Sequence, residues 1–286
     1  MKKLTVIIDK SLDGKRIESV LKSMEISKTL QGRLKRTGNA VLLDGSPARI
    51  VDRVYEGNRL EIIIPERKKS DIFKWNFPLD ILYEDEDILA VNKPRSMPTH
   101  PSKNHQTDTL ANAVAHYLNE DITFHAITRL DKDTSGIVLI AKNAHGAKKL
   151  TEDIKKNNIQ KEYTAIVNGS VEPPIGTASF PIERAGKGMR RCVSETGKKA
   201  ITRYETEKKG QNFSLVRLFP ITGRTHQIRV HLSHMGNPIY GDSMYGAVQE
   251  GEKTLLHCRK ITFIHPIKNE EITVEAPLPE DMKTEL

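Results

Sequence analysis

Two carboxylates and two hydroxyl side chains lie close together in the segment ITRLDKDTSGIVLIAKN, which spans Ile127 to Asn143. Asp131 and Asp133 are separated by one residue, and a Thr-Ser-Gly tripeptide follows them before an apolar run. Carboxylates can bind metal ions, transfer protons or attack as nucleophiles, whereas Asp, Ser and Gly also build ordinary turns. The segment therefore admits a calcium loop, the seat of a reaction, or a turn before a strand.

The calcium interpretation fails at the end of the loop. The EF-hand pattern needs a glutamate at its last position, where this segment has Lys142, a cation that would repel the metal. A serine nucleophile is also disfavoured, because TSG is not G-x-S-x-G and a strand follows it rather than a helix. Taken alone, the segment indicates a turn whose side chains bond nearby backbone amides.

A second segment concentrates basic side chains. LVRLFPITGRTHQIRVHLSHMGNPIYGDSMYG contains three arginines and three histidines. His226, His231 and His234 are spaced by five and three residues, which does not place them all on one helix face, and no H-E-x-x-H motif occurs. Cys192 and Cys258 are too far apart to form a close-spaced ligand set. We predict no metal site, and interpret the histidines as side chains that pack or hydrogen-bond near nucleic-acid phosphate.

The composition is typical of an intracellular protein with a polyanionic partner. The chain has 286 residues, 37% of them hydrophobic, and a formal net charge of +8. This length supports one large or two unequal domains, and the basic balance favours nucleic acid or an anionic membrane. The N-terminal apolar run stops at Asp9 and lacks the features of a signal peptide. No stretch approaches the roughly 20 apolar residues of a membrane span. We predict a cytoplasmic monomer with no membrane association.

Residues 1–65 predict a small α+β unit with 13 Lys and Arg against 8 Asp and Glu. LTVIIDK favours a strand, RIESVLKSMEIS and KTLQGRLKRTG favour helices, and two further strands flank an Asp-Gly turn. Gly38 is the predicted C-terminal cap of the second helix. The unit resembles the S4-like RNA-binding module, in which two short helices and a small sheet present a basic face to structured RNA. A small α+β domain with a solvated basic helix is the alternative.

The remaining chain predicts a second, larger unit. The polar and charged residues 66–80 indicate a linker. After it, ILYEDEDILAVNKP predicts a hairpin, and further strands are predicted over TSGIVLIAKN, QKEYTAIVNGSV, KKAITRYETEKKGQNFSLVRLFPITG and EITVEAPLP. Helices are predicted over TLANAVAHYLNE with Asp108 as N-cap, over AHGAKKLTEDIKKNN with Asn143 as N-cap, and over RTHQIRVHLSHMG, ended by Gly236. Many strands and few helices favour an α+β fold with a mostly antiparallel mixed sheet and flanking helices and loops over residues 81–286.

Five segments, in order along residues 80–280, resemble the motifs of the RluA/RluD-type RNA pseudouridine synthases. RLDKDTSGIVLIAKN resembles the family's signature His-Arg-Leu-Asp-x-x-Thr-Ser-Gly, with Thr128 in place of the usual histidine. The other four segments are YEDEDILAVNKPRSMPTHPS, KEYTAIVNG, ITGRTHQIRVHLSHMGNPIYGDSMYG and LLHCRKITFIHP. One short motif can occur by chance, but five in the family's order hardly can.

The resemblance implies an enzyme that converts uridine in RNA to pseudouridine without a cofactor. The bond from ribose to the uracil nitrogen breaks, the base turns, and carbon 5 rejoins the sugar. By the same resemblance Asp131 is the catalytic aspartate, and Arg229 is the basic partner that keeps it ionised and orients it. Tyr163 is the active-site tyrosine, which can stack on uracil or assist removal of the proton from carbon 5. Attack on the sugar, attack on the base and proton transfer all remain open for the carboxylate.

The resemblance also implies residues that line the pocket or contact RNA. Leu256 lines the uracil pocket, although a plain core leucine is an equal interpretation. Arg129 helps to displace or hold the flipped nucleotide, because the reacting atoms lie inside the base stack and extraction costs a few kcal/mol. Arg224, His226 and Lys93 complete the predicted set.

These observations predict a cofactor-free pseudouridine synthase whose partner is structured RNA. Large-subunit rRNA is the first expectation, because the combination of this catalytic domain with an S4-like module is typical of rRNA-modifying members; a tRNA uridine is the alternative. A non-catalytic RNA-binding or ribosome-assembly factor is disfavoured by the intact catalytic set. A glycosidase would usually need a second carboxylate. Two basic tracts, Glu183–Cys192 and Glu195–Arg203, either contact RNA phosphates or are solvated loops.

Overall fold

The computed structural model describes residues 2–24, 26, 28–64, 72–119, 124–246 and 253–284. The chain separates into two compact units, Met1–Lys69 and Ser70–Leu286. In the predicted linker, 66–80, the first part, 66–71, lies outside the described residues. Residues 72–80 have no regular structure, yet three of their side chains, those of Trp75, Phe77 and Leu79, pack against the core of the larger unit. The described part of the linker therefore belongs to the larger unit.

The smaller unit is a four-stranded antiparallel sheet with two short helices, among the residues described. Its strands are β1 (Lys2–Ile7), β2 (Val41–Leu43), β3 (Ser46–Pro47) and β4 (Arg59–Ile64), in the order β1-β4-β2-β3. Its helices are α1 (Ile17–Ser23) and α2 (Lys28–Arg36), and a 3-10 turn covers Lys10–Leu12. The residue with positive φ after α2 is Asn39 (φ 60°) rather than the predicted Gly38, because asparagine also tolerates the left-handed region. The S4-like assignment of this unit stays a prediction.

The larger unit contains β5 to β16 and α3 to α6. Its strands are β5 (Ile81–Glu84), β6 (Ile88–Lys93), β7 (His125–Ala126), β8 (Ser135–Ala141), β9 (Gln160–Asn168), β10 (Ile175–Ala178), β11 (Ile182–Arg184), β12 (Arg191–Val193), β13 (Thr202–Lys209), β14 (Phe213–Pro220), β15 (Leu256–Ile264) and β16 (Glu271–Glu275). Its helices are α3 (Leu110–Tyr117), α4 (Ala144–Lys155), α5 (Gln227–His234) and α6 (Asp281–Thr284). None of the helices in the described ranges has the length and apolar content needed to span a bilayer.

Ten of the described strands form one mixed sheet. Its main path runs β10-β13-β14-β9-β15-β8-β6-β5, with β16 on β15 and β7 on β8. Within the described residues the pairings are antiparallel except β8 with β15, where Ser135 lies opposite His257 and Gly136 opposite Cys258. Strands β11 and β12 form a separate hairpin. The predicted α+β class with a mostly antiparallel sheet is confirmed.

Strand β8 is the centre of the core, and it follows directly after the aspartate loop. All seven of its residues are buried, which explains why its sequence is continuously apolar after Gly136 instead of alternating. Gly136 has φ +108°, and a Cβ there would overlap the backbone of Cys258 on β15. The glycine of the Thr-Ser-Gly tripeptide is thus required for the close parallel contact with β15.

The helix caps were predicted with mixed success. Asn143 caps α4, since its side-chain oxygen accepts the Gly146 N–H at 2.8 Å. The prediction of Asp108 as the cap of α3 was wrong. Thr109 is the N-cap, and its N–H donates to the side chain of Asn112 at 3.0 Å, the reciprocal arrangement of a capping box. Asp108 instead lies 2.6 Å from the His105 ring nitrogen Nδ1.

Candidate active site

A cavity of about 320 Å³ opens beside the loop between β7 and β8. The loop supplies one wall, the ends of β9 and β15 supply the floor, and the segment from β14 into α5 supplies the opposite wall. Most of the predicted site residues line this cavity, namely Asp131, Tyr163, Arg229, Arg129, Arg224, His226 and Leu256. Residues separated by more than 100 positions in sequence therefore meet around one small space.

A chain of charges runs from the cavity into the core. Arg229 places Nη1 3.6 Å from Oδ2 of Asp131. Its Nε and Nη2 atoms each donate to a carboxylate oxygen of Asp242 at 2.7 Å. The Asp131 side chain is 30% exposed, whereas that of Asp242 is fully buried. Arg229 is thus fixed from behind by Asp242 and presents its remaining nitrogen to Asp131.

Electrostatics keep this Arg229–Asp242 pair charged. Burial alone would raise the pKa of Asp242, but the hydrogen bonds from Arg229 and from two backbone N–H groups lower it overall. Burial opposes the charge on Arg229 as well, yet its bonds to Asp242 raise its pKa. The result is a permanent cation beside Asp131.

Tyr163 and Leu256 belong to the apolar part of the cavity. Tyr163 lies on β9, opposite Leu218 of β14 and Cys258 of β15. It is 8% exposed, and Leu256 at the start of β15 is also buried. Burial raises the pKa of Tyr163 well above its usual value, and the Asp131 charge acts in the same direction. The phenol therefore keeps its proton at neutral pH.

The two rim arginines and His226 differ in exposure. Arg129 and Arg224 are exposed, and Arg224 is oriented by a bond from Nε to the carbonyl of Lys199 at 3.0 Å. His226 is buried, precedes α5 with φ 56°, and places Nε2 4.0 Å from Oδ2 of Asp131. Two exposed cations at the rim and one buried ring inside suit a site that receives an anionic polymer and holds one unit of it.

Lys93 does not line this cavity. It is fully buried at the end of β6, and its Nζ donates to three backbone carbonyls, those of Pro94, Met97 and Lys132. Burial lowers the pKa of Lys93 to about 7, while the nearby Asp133 and Asp131 carboxylates act in the opposite direction. The structure therefore places Lys93 behind the aspartate loop, where it ties that loop to the segment after β6.

Thr128 occupies the position where the resembled signature has histidine. It is buried, its Oγ1 accepts the Leu139 N–H at 2.9 Å, and its own N–H donates to the Leu139 carbonyl at 3.3 Å. The threonine thus fastens the start of the loop to the middle of β8. Its local role is to anchor the loop that carries Asp131.

Sequence reasoning missed Asp242 and Tyr245. Asp242 is the only acidic residue between Glu207 and Glu250, and this single acid in an arginine-rich stretch was an available signal for an ion pair. Tyr245, three residues later, contacts His226 through its hydroxyl. No comparable signal in the sequence marked the tyrosine.

A group of possible metal ligands lies elsewhere in the larger unit. Ligand atoms of Asp85, Asp87 and His265 lie within 4.8 Å of one another. Asp85 already accepts hydrogen bonds from the Tyr83 hydroxyl at 2.7 Å and from Lys268 Nζ at 3.1 Å. Hydrogen-bond donors of the protein therefore already compensate the charge of Asp85, and we assign no metal to this cluster.

Comparisons with known proteins agree on one family. The family model of the RNA pseudouridylate synthases matches residues 87–234. A Bacillus subtilis (strain 168) protein named uncharacterized RNA pseudouridine synthase YjbO is 37% identical over 263 residues, which cover 90% of this chain and 93% of that protein. The ribosomal large subunit pseudouridine synthase D of Xanthomonas campestris pv. campestris is 30% identical, over 97% of this chain and 89% of its own. The structure of human RNA pseudouridylate synthase domain containing 1 superposes with a TM-score of 0.60 at 28% identity, over 70% of this chain and 83% of the human chain.

Proposed function

This chain belongs to the RluA/RluD-type RNA pseudouridine synthase family and is an RNA-modifying isomerase, and we propose that it converts specific uridines of large-subunit rRNA to pseudouridine with Asp131 as the catalytic carboxylate. The reaction moves the ribose bond of the base from nitrogen to carbon 5. It is an internal rearrangement in which no group is donated, so the residues of the cavity must supply the chemistry.

The observation that carries the proposal is the pairing of Asp131 with Arg229 at 3.6 Å. Asp131 is the carboxylate among the residues that line the cavity. Attack on the sugar, attack on the base and removal of a proton each require an ionised carboxylate at this point. Since Arg229 is itself held by two bonds to Asp242, its charge is available without reorganisation during the reaction.

Tyr163 and Leu256 suit the uracil ring. Both are buried side chains on the floor of the cavity, and an aromatic ring can stack on a base. The protonated Tyr163 hydroxyl can accept the proton from carbon 5 only if it passes its own proton on at the same time. A base inside an RNA stack cannot reach such a cavity, so the target nucleotide must be flipped out, at a cost of a few kcal/mol. Arg129 at the rim is suited to hold the displaced nucleotide.

The names of the relatives favour large-subunit rRNA over tRNA as the substrate. Several full-length relatives are named ribosomal large subunit pseudouridine synthase D. The basic balance of residues 1–65 also supports an S4-like module that binds structured RNA. The expectations of a cytoplasmic location and a monomeric state stay predictions. A purely structural RNA-binding or assembly role is disfavoured, because the relatives are named as synthases and the three residues proposed for catalysis line one cavity.

A complementation experiment tests both parts of the proposal. A strain that lacks this protein is supplied with wild type, Asp131→Asn or the control Asp133→Asn, and pseudouridines are mapped in rRNA and tRNA. Asp133 is a matched control because it lies in the same loop but outside the cavity lining. We expect a large-subunit site that wild type and Asp133→Asn restore and Asp131→Asn does not. Restoration of the pseudouridine by Asp131→Asn would refute the catalytic assignment of that residue. Loss of pseudouridine confined to tRNA in the strain that lacks the protein would refute large-subunit rRNA as the substrate.

A further inference from the structure

Tyr245 joins two parts of the larger unit through its hydroxyl group. The Oη atom accepts the backbone N–H of Arg191 at 2.8 Å and lies 2.9 Å from Nδ1 of His226. Arg191 belongs to β12, and His226 precedes α5 beside the cavity. Tyr245 itself is buried, at 9% exposure. A single hydroxyl therefore connects the β11–β12 hairpin with a residue of the active site.

The hydrogen bonds at the Tyr245 hydroxyl favour one placement of the protons. A phenol has one proton to donate, and the Arg191 N–H occupies an acceptor position of the Tyr245 oxygen. The 2.9 Å distance between Tyr245 Oη and His226 Nδ1 fits donation in either direction, and we infer that the phenol donates, because its oxygen already accepts the Arg191 N–H. Burial raises the pKa of Tyr245 and lowers the pKa of His226, so both groups are neutral near pH 7. A neutral imidazole that accepts at Nδ1 carries its own proton on Nε2.

The other side of the His226 ring faces the reaction centre. Nε2 is 4.0 Å from Oδ2 of Asp131, too far for a direct hydrogen bond. The residue lies in the left-handed region at φ 56°, which few non-glycine residues adopt, and its ring is held at Nδ1 by the Tyr245 hydroxyl. The Nε2–H group is thus available to an oxygen atom of a bound nucleotide next to the carboxylate.

We propose that Tyr245 is a positioning residue, which holds His226 with its Nε2–H directed at an oxygen of the uridine beside Asp131. The proposal rests on the proposed function in one respect, namely that the target uridine binds next to Asp131. Tyr245 makes no contact with the substrate and acts through His226.

The surroundings of Tyr245 support a fixed geometry. Two guanidinium groups lie over its ring, with the Cζ of Arg229 5.2 Å and that of Arg190 5.6 Å from the ring centroid. Its N–H donates to Asp242 at 3.1 Å. Tyr245 is therefore attached to the same carboxylate that holds Arg229, so the two groups facing Asp131 share one support.

A double-mutant cycle distinguishes positioning from general stabilisation. Tyr245→Phe keeps the ring and removes the hydroxyl, and His226→Ala removes the residue through which it acts. We expect Tyr245→Phe to lower kcat about tenfold, the loss of roughly one hydrogen bond, with KM for RNA nearly unchanged. In the His226→Ala background the same change should have no further effect. Tyr204→Phe, another buried tyrosine that lies outside the cavity lining, is the matched control and should retain wild-type kcat.

Nitrogen-15 NMR of histidine-labelled full-length protein measures the tautomer directly. The chain has 10 histidines, and the His226 signals are those that His226→Ala removes. We expect a protonated Nε2 and an unprotonated Nδ1 in wild type, and a shift towards the mixture of tautomers in Tyr245→Phe. A proton on Nδ1 in wild type, or additive losses in the cycle, would overturn the proposal. Activity retained by Asp131→Asn would overturn the catalytic assignment instead, and would leave the tautomer measurement unaffected.

Discussion

Replacing the Asp242 carboxylate with a neutral amide should clearly lower the unfolding temperature of the larger unit. Asp242→Asn conserves size, but the carboxylate accepts two bonds from Arg229 and one each from the N–H groups of Met244 and Tyr245. An amide has one acceptor oxygen, and its NH2 group would face a guanidinium that only donates. Removing one partner of a buried ion pair costs about 3–5 kcal/mol, because the other charge stays buried without compensation.

Thermal unfolding measures this cost. For a domain of this size each kcal/mol shifts Tm by about 2–4 °C, so we expect Asp242→Asn to melt roughly 6–20 °C below wild type. The control is Glu172→Gln, which breaks an ion pair with Lys209 whose side chains are 60% and 62% exposed. Such exposed pairs contribute about 1 kcal/mol or less.

Acid unfolding provides a second measurement of the same carboxylate. The folded-state pKa of Asp242 is lowered relative to the unfolded chain, because the bonds from Arg229 outweigh burial. A lowered pKa contributes stability above the unfolded value, and that contribution is lost as pH falls towards the folded value. Wild type should therefore lose stability more steeply than Asp242→Asn below the usual carboxyl pKa.

Activity at a temperature where Asp242→Asn is folded completes the experiment. Without Asp242, the Arg229 side chain loses the two bonds that orient it, so kcat should fall. A variant that melts within the range of the Glu172→Gln control and keeps wild-type kcat would refute the role assigned to the Arg229–Asp242 pair.

Two further predictions follow from the sheet and the hairpin. Gly136→Ala should lower the free energy of unfolding by at least about 2 kcal/mol, because φ is +108° and the new Cβ overlaps Cys258. The control Gly146→Ala, where a Cβ has ordinary contacts of 3.4 Å or more, should change it by about 1 kcal/mol or less. Equal effects of the two substitutions in urea titrations would contradict the account of the β8–β15 contact. Lys187→Ala combined with Lys199→Ala should reduce the slope of log affinity for RNA against log salt by about 1.5, if both exposed lysines neutralise phosphates. The control pair Lys208→Ala and Lys209→Ala should leave that slope unchanged, and equal slopes for both pairs would indicate that the two basic tracts, Glu183–Cys192 and Glu195–Arg203, are solvated loops.

Local patterns were sufficient to predict much of the sheet that positions the site. The β5–β6 hairpin, the buried strand β8, strand β9 and the Asn143 cap of α4 all depend on neighbours in sequence, and the structure has them where the patterns indicated. The LLHCRKITFIHP segment was not predicted as a strand. Its pairing with β8 joins residues 135 and 257, and no local signal records such a contact.

The candidate site residues were predicted through resemblance, and the structure brings all of them except Lys93 to one cavity. Asp242 and Tyr245, which were not predicted, depend on tertiary packing. Lysine side chains are usually exposed. The sequence therefore could not indicate that Lys93 is buried and donates to three backbone carbonyls. Asp242 and Tyr245 matter because the turn after α5 folds back onto Arg229 and His226. The sequence shows that an acid and a tyrosine stand at these positions, but the residues that they contact are determined by the tertiary fold.

The parallel contact of β8 with β15 also determines when the site forms during synthesis. Ser135 and His257 are neighbours in the sheet although more than 100 residues separate them. Closing so long a loop is entropically costly and slow compared with forming a hairpin. The Asp131 loop leaves the ribosome well before β15, whose Leu256 forms part of the cavity floor. A nascent chain therefore carries the carboxylate without its pocket, and the enzyme becomes competent only when its C-terminal strands have been made.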